Sequence, residues 1–136
     1  MKRYLRIIPA IIIVSIIWYF SDQPSLKSNF SQVVDIFLRK GAHILEYLVL
    51  YLALFLAYSH TRLKNMSQEE FHKLQIPVLT TAFVFALLDE WHQSWIPGRT
   101  ATPHDIGYDS LGFLVAYLVL FALWWRKTQP NTTSHS

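Results

Sequence analysis

Asp89-Glu-Trp-His-Gln-Ser-Trp-Ile-Pro-Gly-Arg-Thr-Ala-Thr-Pro-His-Asp-Ile-Gly-Tyr-Asp-Ser-Leu-Gly112 is a polar stretch between two strongly apolar runs, residues 76–88 and 111–125. It holds Asp89, Glu90, Gln93, Arg99, Asp105 and Asp109, together with two histidines. An ionisable group at the centre of a bilayer costs about 2.5–3.5 kcal/mol on insertion scales. Groups carried beside or inside apolar spans therefore face a protein interior, a wet cavity or the membrane interface. That cost marks the stretch as a functional candidate and makes the apolar runs beside it the first evidence for the fold.

Composition supports a membrane protein. Of 136 residues, 52% are hydrophobic and 15% charged, against about 25% charged in ordinary soluble domains. Mean hydropathy is +0.24. The apolar residues come in blocks, and a soluble reading would leave residues 111–125 without a polar face. The net charge of +3 fits Lys- and Arg-rich cytoplasmic loops and does not call for a nucleic-acid partner. With no cysteine the chain has no disulfide framework, thiol nucleophile or cysteine zinc site.

Outward from the central stretch, the chain divides into four spans of a single all-α integral membrane domain over residues 1–136. Span three covers about 76–91 and span four about 106–125, the latter stopped by Arg126 and Lys127. A polar tail, 128–136, reads as disordered; its Asn131-Thr132-Thr133 sequon is expected on the cytoplasmic side and is discounted. Upstream, residues 59–75 are polar, and Ser67-Gln68-Glu69-Glu70 has the form of a capping box that opens a short surface helix. Span two covers about 41–58. Span one covers about 4–20, follows Lys2, Arg3 and Arg6, and ends in the aromatic anchor Trp18-Tyr19-Phe20. Between spans one and two, Ser21-Asp22-Gln23-Pro24 reads as a turn. Phe30, Val33, Val34 and Phe37 then recur at helical spacing, which predicts a short interfacial helix. Trp18, Trp91, Trp124 and Trp125 read as interface-belt residues, and His92 and His104 as interface histidines.

Lys and Arg set the expected orientation. Lys2, Arg3, Arg6, Arg62, Lys64, Lys73, Arg126 and Lys127 fall on one side; Lys27, Arg39, Lys40 and Arg99 fall on the other. The excess predicts both termini in the cytoplasm. Span two then starts outside with Lys40, His43, Glu46 and Tyr47. Span three ends outside with Asp89, Glu90 and Gln93, and span four starts there with Asp105 and Asp109. Asp89 and Gln93 share a helical stripe, as do Asp105 and Asp109, and Gly112 continues the second stripe with room for close helix approach. A Pro97-Gly98 turn would bring Arg99 beside the acidic helix ends.

These residues divide into expected roles. Arg99, Lys40 and Gln93 are candidates for holding a substrate, the guanidinium as a two-pronged clamp on phosphate or carboxylate. His43, Asp89 and Asp105 are candidates for acid–base catalysis, with Glu46, Tyr47, Glu90, Asp109 and Gly112 in support. The competing reading is an ion-pair network that only packs three helices, with Lys40 and Arg99 neutralising the acids. No cofactor is evident. A divalent metal on His43, Glu46, Asp89, Asp105 and Asp109 is a weaker alternative, since no compact ligand motif is present. Ser94 and Ser110 lack a base and an orienting partner for a hydrolase triad.

Five elements in order resemble the VanZ-like family of small membrane proteins. They are Ser21-Asp22-Gln23-Pro24, Lys40-x-x-His43-x-x-x-Tyr47, Asp89-Glu90-x-x-Gln93, Pro97-Gly98-Arg99 and Asp105-x-x-x-Asp109-x-x-Gly112. The resemblance spans about residues 15–120. It departs at Asp109, where the family commonly has Asn. It implies a multi-pass protein of the inner (cell) membrane with about four helices, in a family whose named member is associated with resistance to the lipoglycopeptide teicoplanin. The expected function is an outward-facing polar pocket that binds or modifies a lipid-linked envelope component. The expected partners are membrane lipid and a lipid-linked cell-wall precursor or lipoglycopeptide. The alternative is a non-catalytic protein whose polar cluster packs helices or binds a partner; whether any reaction is catalysed stays open.

Overall fold

The computed structural model describes residues 3–23, 32–97, 99 and 103–129. Four helices in it are long and apolar enough to cross a membrane: Tyr4–Ser21, Phe37–Tyr58, Gln68–Gln93 and His104–Thr128. The first is α1 (Ile8–Ser21), entered through one 3-10 turn at Arg3–Arg6. Pro9 lies in its opening turn, where a backbone N–H has no helical partner to lose.

The interfacial helix and the second span, expected as separate pieces, are one 27-residue helix, α2 (Gln32–Tyr58). Gly41 lies inside it, and a single helical glycine costs only about 1 kcal/mol relative to alanine. Leu38, Arg39, Lys40 and Ala42 around it are good helix formers. Phe30 and Pro24 of the expected interfacial helix and turn lie outside the described residues.

The capping box forms, with Glu70 N donating to Ser67 Oγ at 3.2 Å and Ser67 N donating to Glu70 Oε2 at 2.8 Å. It does not open a separate surface helix. It opens α3 (Gln68–Gln93), which continues through Pro77. One lost hydrogen bond at a proline bends a helix without having to end it when both sides are otherwise favourable. The added turns also give the helix its reach. At 1.5 Å per residue, the 26 residues of α3 reach about 39 Å, enough for a hydrocarbon core of ~30 Å. The fourth helix, α4 (Pro103–Thr128), begins with proline in the position that favours it and takes Thr128 from the expected tail. Residues 130–136 of that tail lie outside the described residues, as does Gly98 of the expected Pro-Gly turn.

Helix α2 is the hub: its seam with α4 is the most extensive, and it also packs on α3 and α1. Side-chain pairings place α2 and α4 parallel, with α1 and α3 running the other way. Tyr47, Leu50, Tyr51, Phe71, Val78 and Phe113 fill the interior. Ala82 and Ala86 of α3 and Ala116 of α4 are fully buried and let backbones approach where larger side chains would hold them apart. Large apolar side chains such as Ile11, Leu45, Ile76 and Leu118 point outward from all four helices. At the end where α3 begins, Phe71 stacks on Trp124 with ring centroids 5.0 Å apart, and Trp124 Nε1 donates to Met66 O at 2.9 Å. Trp124 is therefore a core residue and not part of an interface belt. An indole can be buried when its N–H finds an acceptor.

Candidate functional site

The opposite end of the bundle gathers the C-termini of α1 and α3 and the N-terminal halves of α2 and α4. Lys40, His43 and Tyr47 recur on α2 at spacings of three and four; Asp105, Asp109 and Gly112 do the same on α4. Such spacings place each trio on one stripe. Because the two helices run parallel, the stripes meet as three rungs. Lys40 Nζ donates to Asp105 Oδ1 at 2.5 Å, and the ammonium also lies 4.1 Å from the centroid of the Tyr108 ring. His43 Nδ1 is 3.2 Å from Asp109 Oδ1. At the third rung Tyr47 packs over Gly112, where an added Cβ would sit 2.5 Å from Ile44 O and 2.9 Å from Leu48 N.

Helix α3 contributes the buried Asp89, whose carboxylate accepts from Ser21 Oγ at 2.5 Å and from Gln93 Nε2 at 2.7 Å. The Tyr47 hydroxyl approaches Phe85 O at 3.5 Å and lies within reach of Asp89. Glu90, one position on, is 7% exposed, and neither of its oxygens has a hydrogen-bond partner among the described residues. Asp109 is fully buried and its Oδ2 is likewise unpartnered. Half-buried Glu46 lies in the same electrostatic neighbourhood as His43, Asp89, Asp109 and Arg99.

The loop after α3 returns to α1. Arg99 Nε donates to Gln23 O at 3.1 Å and Nη2 donates to Phe20 O at 3.0 Å. The guanidinium thus adds a second donor to Phe20 O, which already accepts from Gln23 N at 3.2 Å, and reaches the carbonyl of Gln23 just past the end of α1. Burial lowers its pKa from the usual value, with Asp89 acting in the opposite direction; arginine stays charged regardless. His92 Nε2 lies 3.5 Å from Asp22 Oδ1, and its ring stacks on Trp18 at 5.2 Å.

All the residues named from sequence therefore meet at one end, but several do other work than expected. The two-pronged clamp of Arg99 is closed on backbone carbonyls, which leaves only Nη1 buried and unpartnered. Lys40 is committed to Asp105. Among the described residues no group of three or more His, Asp and Glu side chains is arranged to hold an ion. Lys40, His43, Ser21 and Gln93 have instead drawn the carboxylates of Asp105, Asp109 and Asp89 into separate pairings.

Ser21 and Tyr108 had been given no role in the site. A signal for Ser21 existed: with Ala10 and Ile17 it continues the single buried stripe of α1, at spacings of seven and four. Nothing in the sequence marks Tyr108, which acquires its role only from the register between α2 and α4.

No curated protein and no solved structure matches the chain. One family model does, over residues 6–125, and its description is VanZ/LLP1.

Proposed function

The chain belongs to the VanZ/LLP1 family, and from that premise we propose that its polar end binds the headgroup of a lipid-linked envelope component. Both termini are cytoplasmic in this reading, so the polar end opens at the outer face. The eight-to-four division of Lys and Arg supports that orientation. One observation carries the proposal. Among the described residues Glu90 and Asp109 bury three oxygens without partners, while the neighbouring Lys40 and His43 are already paired. An uncompensated buried carboxylate is costly, and a cluster built only for packing would pair its members. Tolerance to a teicoplanin-type lipoglycopeptide follows if the bound component is the drug's lipid-linked target or part of the leaflet in which its tail anchors.

A second reading has its own observation. His43, hydrogen-bonded to a fully buried Asp109, has the form of a base held by an orienting carboxylate. In this version Asp89, on the facing helix, assists a reaction on the bound headgroup. Asp105 drops out of the acid–base set because it is occupied by Lys40.

Expression in a susceptible bacterial host tests both. The wild-type chain should raise tolerance to teicoplanin more than to vancomycin and shift the cellular lipid profile. Asp89→Asn and Glu90→Gln should abolish most of that effect at normal protein levels. Variants that lose activity only in proportion to lost protein would favour a cluster that merely packs helices. His43→Gln separates binding from reaction: it should keep headgroup binding and lose any lipid product that the wild-type chain makes, and headgroup binding with no such product from the wild-type chain would remove the catalytic version.

A further inference from the structure

The unpartnered atoms at the polar end have a composition of their own. Among the described residues they are Glu90 Oε1, Glu90 Oε2, Asp109 Oδ2 and Arg99 Nη1, which is three acceptors and one donor. Glu90 is 7% exposed and Asp109 0%. Glu90 lies in the electrostatic neighbourhood of Asp109, His43 and Asp89, and Arg99 in that of Glu90 and Asp89. Lys40 is engaged by Asp105, His43 by Asp109 Oδ1, and two nitrogens of Arg99 by the carbonyls of Phe20 and Gln23, while Arg39 acts on Arg99 from a distance.

We propose that this site takes a primary ammonium group with an anionic oxygen close by, as in a phosphoethanolamine headgroup. The inference rests on the reading that this end binds a headgroup, and it names the class. A primary ammonium offers three N–H donors and no acceptor, which matches the three unpartnered oxygens of Glu90 and Asp109 in number and charge. The adjoining phosphate oxygen is then left for Arg99 Nη1, in a charge-assisted hydrogen bond. A purely anionic headgroup would meet Glu90 and Asp109 as like charges. A quaternary ammonium has no N–H to give and is bound through aromatic faces instead. A divalent metal would need at least one more ligand from His, Asp or Glu than the described residues group together.

The full chain, released from detergent micelles for native mass spectrometry, can be titrated with lysophosphatidylethanolamine, lysophosphatidylcholine and lysophosphatidylglycerol, and with free O-phosphoethanolamine. The ethanolamine lysolipid should bind about tenfold tighter than the other two, the effect of one set of charge-assisted hydrogen bonds. Glu90→Gln should bring the three to about the same affinity. Thermal melting shows whether that variant is folded, and the ranking on the wild-type chain decides the matter without it. Free O-phosphoethanolamine binding as well as the lysolipid would identify a soluble source for the group; weak binding of the free compound would identify the membrane lipid. Either result supports the proposal. Equal or tighter binding of the choline or glycerol lysolipid would overturn it while leaving a headgroup site in place. No saturable binding of any probe would overturn the headgroup site as well.

Discussion

Gly112 shows how much one side chain can matter in this bundle. A Cβ at that position would lie 2.5 Å from Ile44 O and 2.9 Å from Leu48 N. Both are backbone atoms, so the strain cannot be relieved by turning a rotamer. Gly112→Ala should force α4 away from α2 and cost about 1–3 kcal/mol, the usual range for an overpacked core. It should appear as a lower melting temperature of the purified protein. An unchanged melting temperature would mean that the seam is looser than its geometry. The matching Gly107→Ala, with open space around it, should not destabilise. One rung below Gly112, Asp109 departs from the Asn expected by resemblance. Asn could keep a hydrogen bond to His43 at the 3.2 Å separation, but it would remove the charge.

Among the elements, α1 is the one held least by apolar packing. Only Ala10, Ile17 and Ser21 of it are buried, and its attachment at the polar end is made of polar contacts. Ser21 reaches Asp89, Asp22 faces His92, and Arg99 grips the carbonyls of Phe20 and Gln23. Arg99 joins two carbonyls with a rigid fork, and lysine keeps the charge without the fork. Arg99→Lys should therefore loosen α1, at a cost on the order of 1.5 kcal/mol for one charge-assisted hydrogen bond. The chain has no cysteine, so Ile17→Cys gives a clean reporter at a buried position. Its reaction with a thiol reagent should be slow in the parent chain and about tenfold faster when Arg99→Lys is added, since 1.4 kcal/mol corresponds to a factor of ten. Equal rates would show that Arg99 does not hold α1. The capping box of α3 acts at the other end of the bundle and should be indifferent to this change.

For the whole molecule, the parallel pairing of α2 with α4 puts Lys40, His43, Asp105 and Asp109 at one depth, and α3 delivers Asp89 and Glu90 to the same level. The proposed orientation turns that level outward. Cysteines at Ser28 and Thr102 should then react with an impermeant thiol reagent applied to intact cells, whereas one at Asn65 should react only after the membrane is opened. The reverse pattern would place the polar end in the cytoplasm and remove the rationale for an outer-leaflet ligand.

The sequence by itself determined that the chain is helical, that it has four apolar spans and where its polar residues concentrate. Those properties depend on composition and local periodicity, which each segment carries alone. It also determined the capping box, because both partners lie within three residues of each other. Helix length was less legible. Gly41 and Pro77 look like boundaries locally, but the rest of each helix outweighs the small cost of passing through them. What only the tertiary structure decided is who pairs with whom. Arg99 could have met a ligand, an acid or a backbone carbonyl, and its place is set by contacts with Phe20 and Gln23, more than seventy positions away in the chain. Lys40 selects Asp105, and Ser21 and Gln93 share Asp89. The oxygens of Glu90 and Asp109 that remain after these pairings follow from no local pattern, since an unpartnered atom is a property of everything packed around it.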